Sequence, residues 1–182
     1  ARYWNPLEMT QKTALAALLL VPSFSFAATV LSAPPELNNK SYVLMDYETG
    51  QLLASKNENE KLAPASMTKM MTSYIIEQKL LSGELTEDEQ VRMNESAWCR
   101  GSSAESCMYV PLNGTATALE MLRGIIIQSG NDASKAMAEH IAGNEGTFAH
   151  MMNQEAKRIG MTNTSFINST GMPAEGHYST AK

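Results

Sequence analysis

The sequence predicts an α/β chain, with a β-hairpin near its start and a series of helices after it. Two patterns carry that expectation. Tyr42-Val-Leu-Met-Asp46 and Gln51-Leu-Leu-Ala-Ser55 are short apolar-rich runs on either side of Tyr47-Glu-Thr-Gly50, which has turn chemistry. From Pro64 onward the apolar residues recur at helical spacing, interrupted by Gly, Asn and Ser. The 182 residues allow one domain or a piece of a larger one.

The hairpin has apolar residues on both faces, so it is expected to lie under helical cover. Pro64-Ala-Ser66 opens a helix with Ser66 as N-cap or in the first turn, followed by Met67, Met70, Met71, Tyr74, Ile75 and Leu81 at helical period. Gly83 stops it. Thr86 to Arg92 is polar and acidic and reads as exposed. Asn94 to Pro111 is irregular. Thr117 with Glu120 matches a capping box, and the helix behind it should break at Ser129-Gly130-Asn131. Asp132 to Ile141 reads as another helix, and Thr147 as the cap of a last one ending at Gly160. Met161 to Lys182 is rich in Asn, Ser, Thr and Gly and reads as loop.

Composition narrows the classes of function. Charged residues are 18% and the net charge is −5, which argues against a disordered chain and against a basic nucleic-acid binder. Thr13 to Val21 is apolar but, at nine residues, spans only about 14 Å as a helix, too short for a bilayer core. Preceded by Met9 and Lys12 and followed by Ser25-Phe-Ala27, it reads as a secretory signal over residues 1–27, with an upstream extension before Met9. Residues 28–40 then read as a linker containing Ser32-Ala-Pro-Pro35, and 41–182 as the domain. Export would place Cys99 and Cys107 in an oxidising space, where they can close a short loop as a disulfide; two unpaired thiols are the alternative. His140, His150 and His177 form no metal-ligand spacing.

The chemistry rests on Ser66-Met-Thr-Lys69. Residues three apart share a helix face, so the lysine amine can reach the serine hydroxyl. A lysine whose pKa is lowered by burial or a nearby cation can take the serine proton, and the serine can then attack a carbonyl and form an acyl-enzyme. Alone the motif is weak, since roughly one Ser-x-x-Lys arises by chance at this length, and Ser179-Thr-Ala-Lys182 is a second instance. Standing alone, the motif is better explained by a plain N-cap with an exposed lysine. Ser129-Gly130-Asn131 changes the balance. A second hydroxyl on a helix–helix turn could pass a proton to a leaving amine, and an amide could hold a substrate amide.

Pro64-Ala-Ser-Met-Thr-Lys-Met-Met-Thr-Ser-Tyr74 and Ile125-Ile-Ile-Gln-Ser-Gly-Asn-Asp-Ala133 closely resemble low-molecular-weight penicillin-binding proteins, the periplasmic D-alanyl-D-alanine carboxypeptidases of bacteria. Tyr42 to Gly50, Arg100-Gly-Ser-Ser103, Gly160 to Ser165 and His177 to Ala181 also look like that family, so the resemblance runs from about Glu36 to Lys182. It implies the transpeptidase fold shared by serine β-lactamases and penicillin-binding proteins, here truncated to its N-terminal hairpin and helical region. It implies Ser66 as nucleophile, Lys69 as base, Ser129 as proton relay, and Gly130 and Asn131 in substrate binding. The implied reaction removes the terminal D-alanine of peptidoglycan pentapeptides, with no metal or organic cofactor, and β-lactams acylate the same serine. The implied location is periplasmic, with a peripheral inner-membrane anchor in the missing C-terminus.

One feature departs from the family pattern. No Lys-Thr-Gly or Lys-Ser-Gly triplet occurs; Lys12-Thr-Ala and Lys40-Ser-Tyr come nearest. Its strand supplies half the oxyanion hole in the family, so the 182 residues alone are expected to be nearly inactive. A class A-like β-lactamase is the nearest rival, but it would have Asp at the middle of Ser129-Gly130-Asn131 and a Glu-x-x-Leu-Asn pattern that is lacking here. A non-catalytic wall-associated binding protein is the other rival.

Overall fold

Residues 33–101 and 105–182 are described by a computed structural model of the chain. The signal reading of residues 1–27, the beginning of the 28–40 linker, and Ser102 and Ser103 fall outside these residues. Leu37–Lys182 form one unit, and it opens with the expected hairpin. Strands β1 (Tyr42–Met45) and β2 (Leu52–Lys56) pair antiparallel, Tyr42 facing Lys56, with an irregularity between Leu44 and Met45. Asp46 shapes the turn: its Oδ1 accepts from the Thr49 amide at 2.8 Å and the Thr49 hydroxyl at 2.6 Å. The helical cover expected over this hairpin is not made by the described residues, and Leu44, Met45, Leu52 and Leu53 stay exposed.

A 3₁₀ turn, Ala65–Met67, leads into helix α1 (Thr68–Ser82). Ser66 caps neither, because no side-chain capping bond is made at this end, so its hydroxyl is left available. Met71, Ile75 and Ile76 face inward, whereas Met67, Met70 and Leu81 are exposed although they keep the helical period. Gly83 ends α1 in a left-handed conformation.

The segment read as exposed, Thr86 to Arg92, carries a strand instead. β3 (Gln90–Arg92) pairs antiparallel with β4 (Thr115–Thr117), and Val91 between its two polar neighbours is wholly buried. Alternation over three residues is what a half-buried strand needs, and the flanking acids concealed it. Helix α2 (Ala118–Gln128) starts with the predicted capping box: the Thr117 hydroxyl accepts from the Glu120 amide at 3.2 Å, and the Glu120 carboxylate accepts from the Thr117 amide at 2.8 Å. α2 ends at Ser129, α3 (Asn131–Ala142) follows directly, and α4 (Glu145–Arg158) is capped by Asn144, whose Oδ1 accepts from the Thr147 amide at 2.8 Å. Thr147 is therefore the third residue of that helix and not its cap.

α3 lies between two apolar clusters. Met137 and Ala133 pack with Ile76, Val91, Met93, Met121 and Ile125 on one side. Ala138 packs with Met71, Ile75, Phe148, Met152 and Phe166 on the other. The C-terminal segment forms no helix and no long strand, only isolated bridges from Leu62 to Ser179 and from Ser165 to Tyr178. It is nevertheless well buried at Phe166, Ser169, Thr170 and His177. Asn153 of α4 fixes it by exchanging two hydrogen bonds with the Phe166 backbone, at 2.7 and 2.8 Å.

Candidate active site

Ser66 sits at the start of α1 with its hydroxyl exposed, and Lys69, one turn further on, is buried to 4% exposure. The three-residue spacing brings Lys69 Nζ to 3.4 Å from Ser66 Oγ. The ammonium has one strong partner, the Thr170 carbonyl, to which it donates at 2.8 Å. Burial favours the neutral amine and pushes the Lys69 pKa down to about 8; Glu105 opposes that shift and Lys135 adds to it. A lysine of this kind keeps a usable neutral fraction near neutral pH, as a general base must.

The C-terminal segment lies against the first turns of α1. Thr72 Oγ1 donates to the Ser169 carbonyl at 2.7 Å, next to the Thr170 carbonyl that Lys69 contacts. The Ser169 amide and hydroxyl both donate to Glu145 at the start of α4. His177 joins the same surface. Its Nδ1 accepts from the Ile167 amide at 3.0 Å, so the neutral ring carries its proton on Nε2 and donates it to Thr68 Oγ1 at 2.8 Å. Burial holds the His177 pKa below its usual range. Gly171 allows the closest approach: a Cβ there would lie 1.8 Å from the Ala65 carbonyl oxygen, and its φ is +85°.

The opposite side comes from the turn between α2 and α3. Ser129 closes α2 at φ 55°, the left-handed region, and Gly130 leads into α3 with its carbonyl accepting from Ser134. Asn131 is 4% exposed; its amide donates to the Ser106 carbonyl at 2.8 Å, and its Nδ2 donates to Glu105 Oε2 at 3.1 Å. Asp132 next to it is 1% exposed and its carboxylate accepts from the Met108 and Tyr109 amides at 2.7 and 2.8 Å. These bonds anchor the end of a loop that a Cys99–Cys107 disulfide closes, with the two Cα atoms 6.3 Å apart.

A cleft of about 350 Å³ opens between the two sides, lined among others by Ala65, Ser66, Glu105, Asn131, Thr170 and His177. Ser66, Lys69 and Asn131 are therefore drawn together by the fold. Ser129 stands on the adjoining turn but does not line the cleft, and Gly130 is buried behind it. Glu105, Thr170 and His177 were not singled out from the sequence. His177 lay within a family-like stretch, which was the one available pointer to it; Glu105 and Thr170 had none.

The sequence profile of the D-alanyl-D-alanine carboxypeptidase family, peptidase S11, matches residues 28–182. D-alanyl-D-alanine carboxypeptidase DacF of Bacillus subtilis is 49% identical over 142 residues, covering 78% of this chain and 36% of the relative. DacA of Haemophilus influenzae is 37% identical over 180 residues, covering 97% of this chain and 46% of the relative. The crystal structure of penicillin binding protein 5 from Haemophilus influenzae superposes with a TM-score of 0.79 at 40% identity, over 82% of this chain and 43% of that one. The chain thus spans less than half the length of these two curated relatives. The fold is that of the penicillin-binding proteins, and the chain belongs to the S11 family of D-alanyl-D-alanine carboxypeptidases.

Proposed function

We propose that the chain carries the nucleophile side of a serine D-alanyl-D-alanine carboxypeptidase that trims peptidoglycan stem peptides. The observation behind this reading is the buried Lys69 amine, 3.4 Å from the exposed Ser66 hydroxyl and held by the Thr170 carbonyl. In the proposed reaction neutral Lys69 takes the Ser66 proton, and Oγ attacks the carbonyl carbon of the penultimate D-alanine. The Ser66 amide helps hold the negative oxygen of the tetrahedral intermediate. That intermediate collapses by breaking the C–N bond. The proton returns to the leaving amine through Lys69 and Ser129, and free D-alanine departs. Water, deprotonated at the same base, then releases the shortened peptide and restores Ser66. Asn131, which lines the cleft, is assigned to the substrate backbone. β-Lactams would stop at the acyl stage, because their leaving group stays tethered.

The same reading makes residues 1–27 an export signal and the setting periplasmic, with the protein peripheral to the inner membrane through sequence beyond these residues. The 182 residues, which lack a Lys-Thr-Gly or Lys-Ser-Gly triplet, are expected to release almost no D-alanine unaided. Loss of one oxyanion donor costs about 3–4 kcal/mol in known cases. Intact mass after incubation with benzylpenicillin tests the assignment. The chain extended through the next such triplet should gain one covalent adduct, absent in Ser66→Ala. No adduct on the extended chain would overturn the assignment, and rapid turnover of a chromogenic cephalosporin would favour a β-lactamase.

A further inference from the structure

Glu105 is a carboxylate at the mouth of the cleft, on the disulfide-closed loop, and its Oε2 has two partners. One is Asn131 Nδ2 at 3.1 Å; the other is the Lys135 ammonium at 3.6 Å, one turn further along α3. A carboxylate can only accept, so this contact fixes which end of the Asn131 side chain faces Glu105. The amide nitrogen is committed to Glu105, and the carbonyl oxygen is left for the cleft. Glu105 is itself only 21% exposed at its side chain, so its charge is not freely screened by water.

We propose that Glu105 is a positioning residue of this site: its carboxylate orients the Asn131 amide and, together with Lys135, controls the charge that faces Lys69. The inference rests on the carboxypeptidase reading and adds to it a residue that the Ser66–Lys69 and Ser129–Asn131 motifs do not include. The titratable groups around Lys69 come from each element packed on it. Glu105 belongs to the disulfide loop and Lys135 to α3; His177, bonded to neighbouring Thr68, and Glu145, bonded to Ser169, lie on the far side. Glu105 and Lys135 are the two whose charge acts on the Lys69 ammonium, and they act with opposite sign. Glu105 favours the protonated lysine and Lys135 the neutral amine.

The two functions of Glu105 separate by substitution. Glu105→Gln keeps an acceptor for Asn131 but removes the charge. Glu105→Ala removes both. Lys135→Gln removes the countercharge and leaves Glu105 in place. The readout is the second-order rate of Ser66 acylation by benzylpenicillin across pH 6–10, in the protein extended through its lysine triplet. Glu105→Gln should move the inflection acidward by about half a pH unit, roughly threefold in rate at pH 7, while Lys135→Gln should move it alkaline by a similar amount. Glu105→Ala should show the acidward shift and also lose about tenfold in rate at every pH, which the Gln variant restores. A wild-type profile in both charge variants, or shifts of the same sign, would overturn the inference. If the wild-type protein is not acylated at any pH, the carboxypeptidase reading has failed instead. Thermal unfolding of each variant identifies a rate lost only through misfolding.

Discussion

The two sides of the cleft hold the same lysine by opposite physics. Thr72, Ser169, Thr170 and His177 form a dry side, where Lys69 and Thr72 donate to backbone carbonyls and His177 bonds the Thr68 hydroxyl. Glu105, Asn131 and Lys135 form a charged and partly wetted side. Desolvation by the first lowers the basicity of Lys69, and Glu105 on the second restores part of it. The difference teaches that the basicity of Lys69 is set by a balance between burial and a neighbouring charge pair. Either side can be disturbed separately.

The largest effect should come from the dry side at Gly171. Gly171→Ala puts a Cβ into the Ala65 carbonyl at a backbone conformation that alanine resists. It should cost about 3 kcal/mol in urea unfolding and abolish acylation, because the strand of loop holding Lys69 must move. Near-wild-type stability would mean that this side yields easily and that the comparison is drawn too sharply. On the charged side, Asp132→Ala leaves the Met108 and Tyr109 amides without their acceptor. A loss of about 2 kcal/mol is expected by the same measurement. Because those amides anchor the loop bearing Glu105, the acylation profile of this variant should shift acidward, as for Glu105→Gln.

The smallest effect is a pH dependence carried by His177. Its pKa lies below the usual 6.5 in the folded chain, so the unfolded chain takes up the proton first as pH falls. Stability from this group is complete above pH 6.5, declines below it, and levels off under the folded pKa. Protonation would also turn Nδ1 into a donor facing the Ile167 amide. The urea midpoint should therefore fall from pH 7.5 to pH 5 in the wild type, and less steeply in His177→Gln. Equal slopes would place the acid sensitivity elsewhere. Lys69 acts in the same direction at higher pH: its cost is fully present below about 8 and is relieved as pH rises toward 10.5.

What the sequence revealed follows the range of each interaction. The Thr117–Glu120 box, the break at Ser129-Gly130-Asn131 and the Asp46–Thr49 turn are made between residues a few positions apart, and each left a local pattern. Ser66 next to Lys69 is equally local. Of its two readings, cap or first turn, the second holds: the serine lies inside the 3₁₀ turn that leads into α1 and makes no capping bond. The burial of Val91 was hidden by acidic flanks. Met161 to Lys182 has the composition of a loop and is one, yet it supplies an entire side of the cleft. Its bonds to α1 join residues 97 to 109 positions apart, and such contacts leave no periodicity to read. Glu105 was invisible for the same reason, being 26 residues from Asn131.

The contact between Lys69 and Thr170 also sets an order of events. Ser66 and Lys69 become neighbours as soon as α1 forms, but the carbonyl that holds the amine comes from 101 residues further along. Until the intervening helices have packed and Gly171 has closed on Ala65, the lysine is solvated and retains its ordinary basicity. A half-folded chain thus displays a serine beside a fully protonated lysine, which cannot accept its proton. On the assignment proposed above, Ser66 gains its base only with completion of the fold, and a half-folded chain would expose no activated serine to a passing acyl donor.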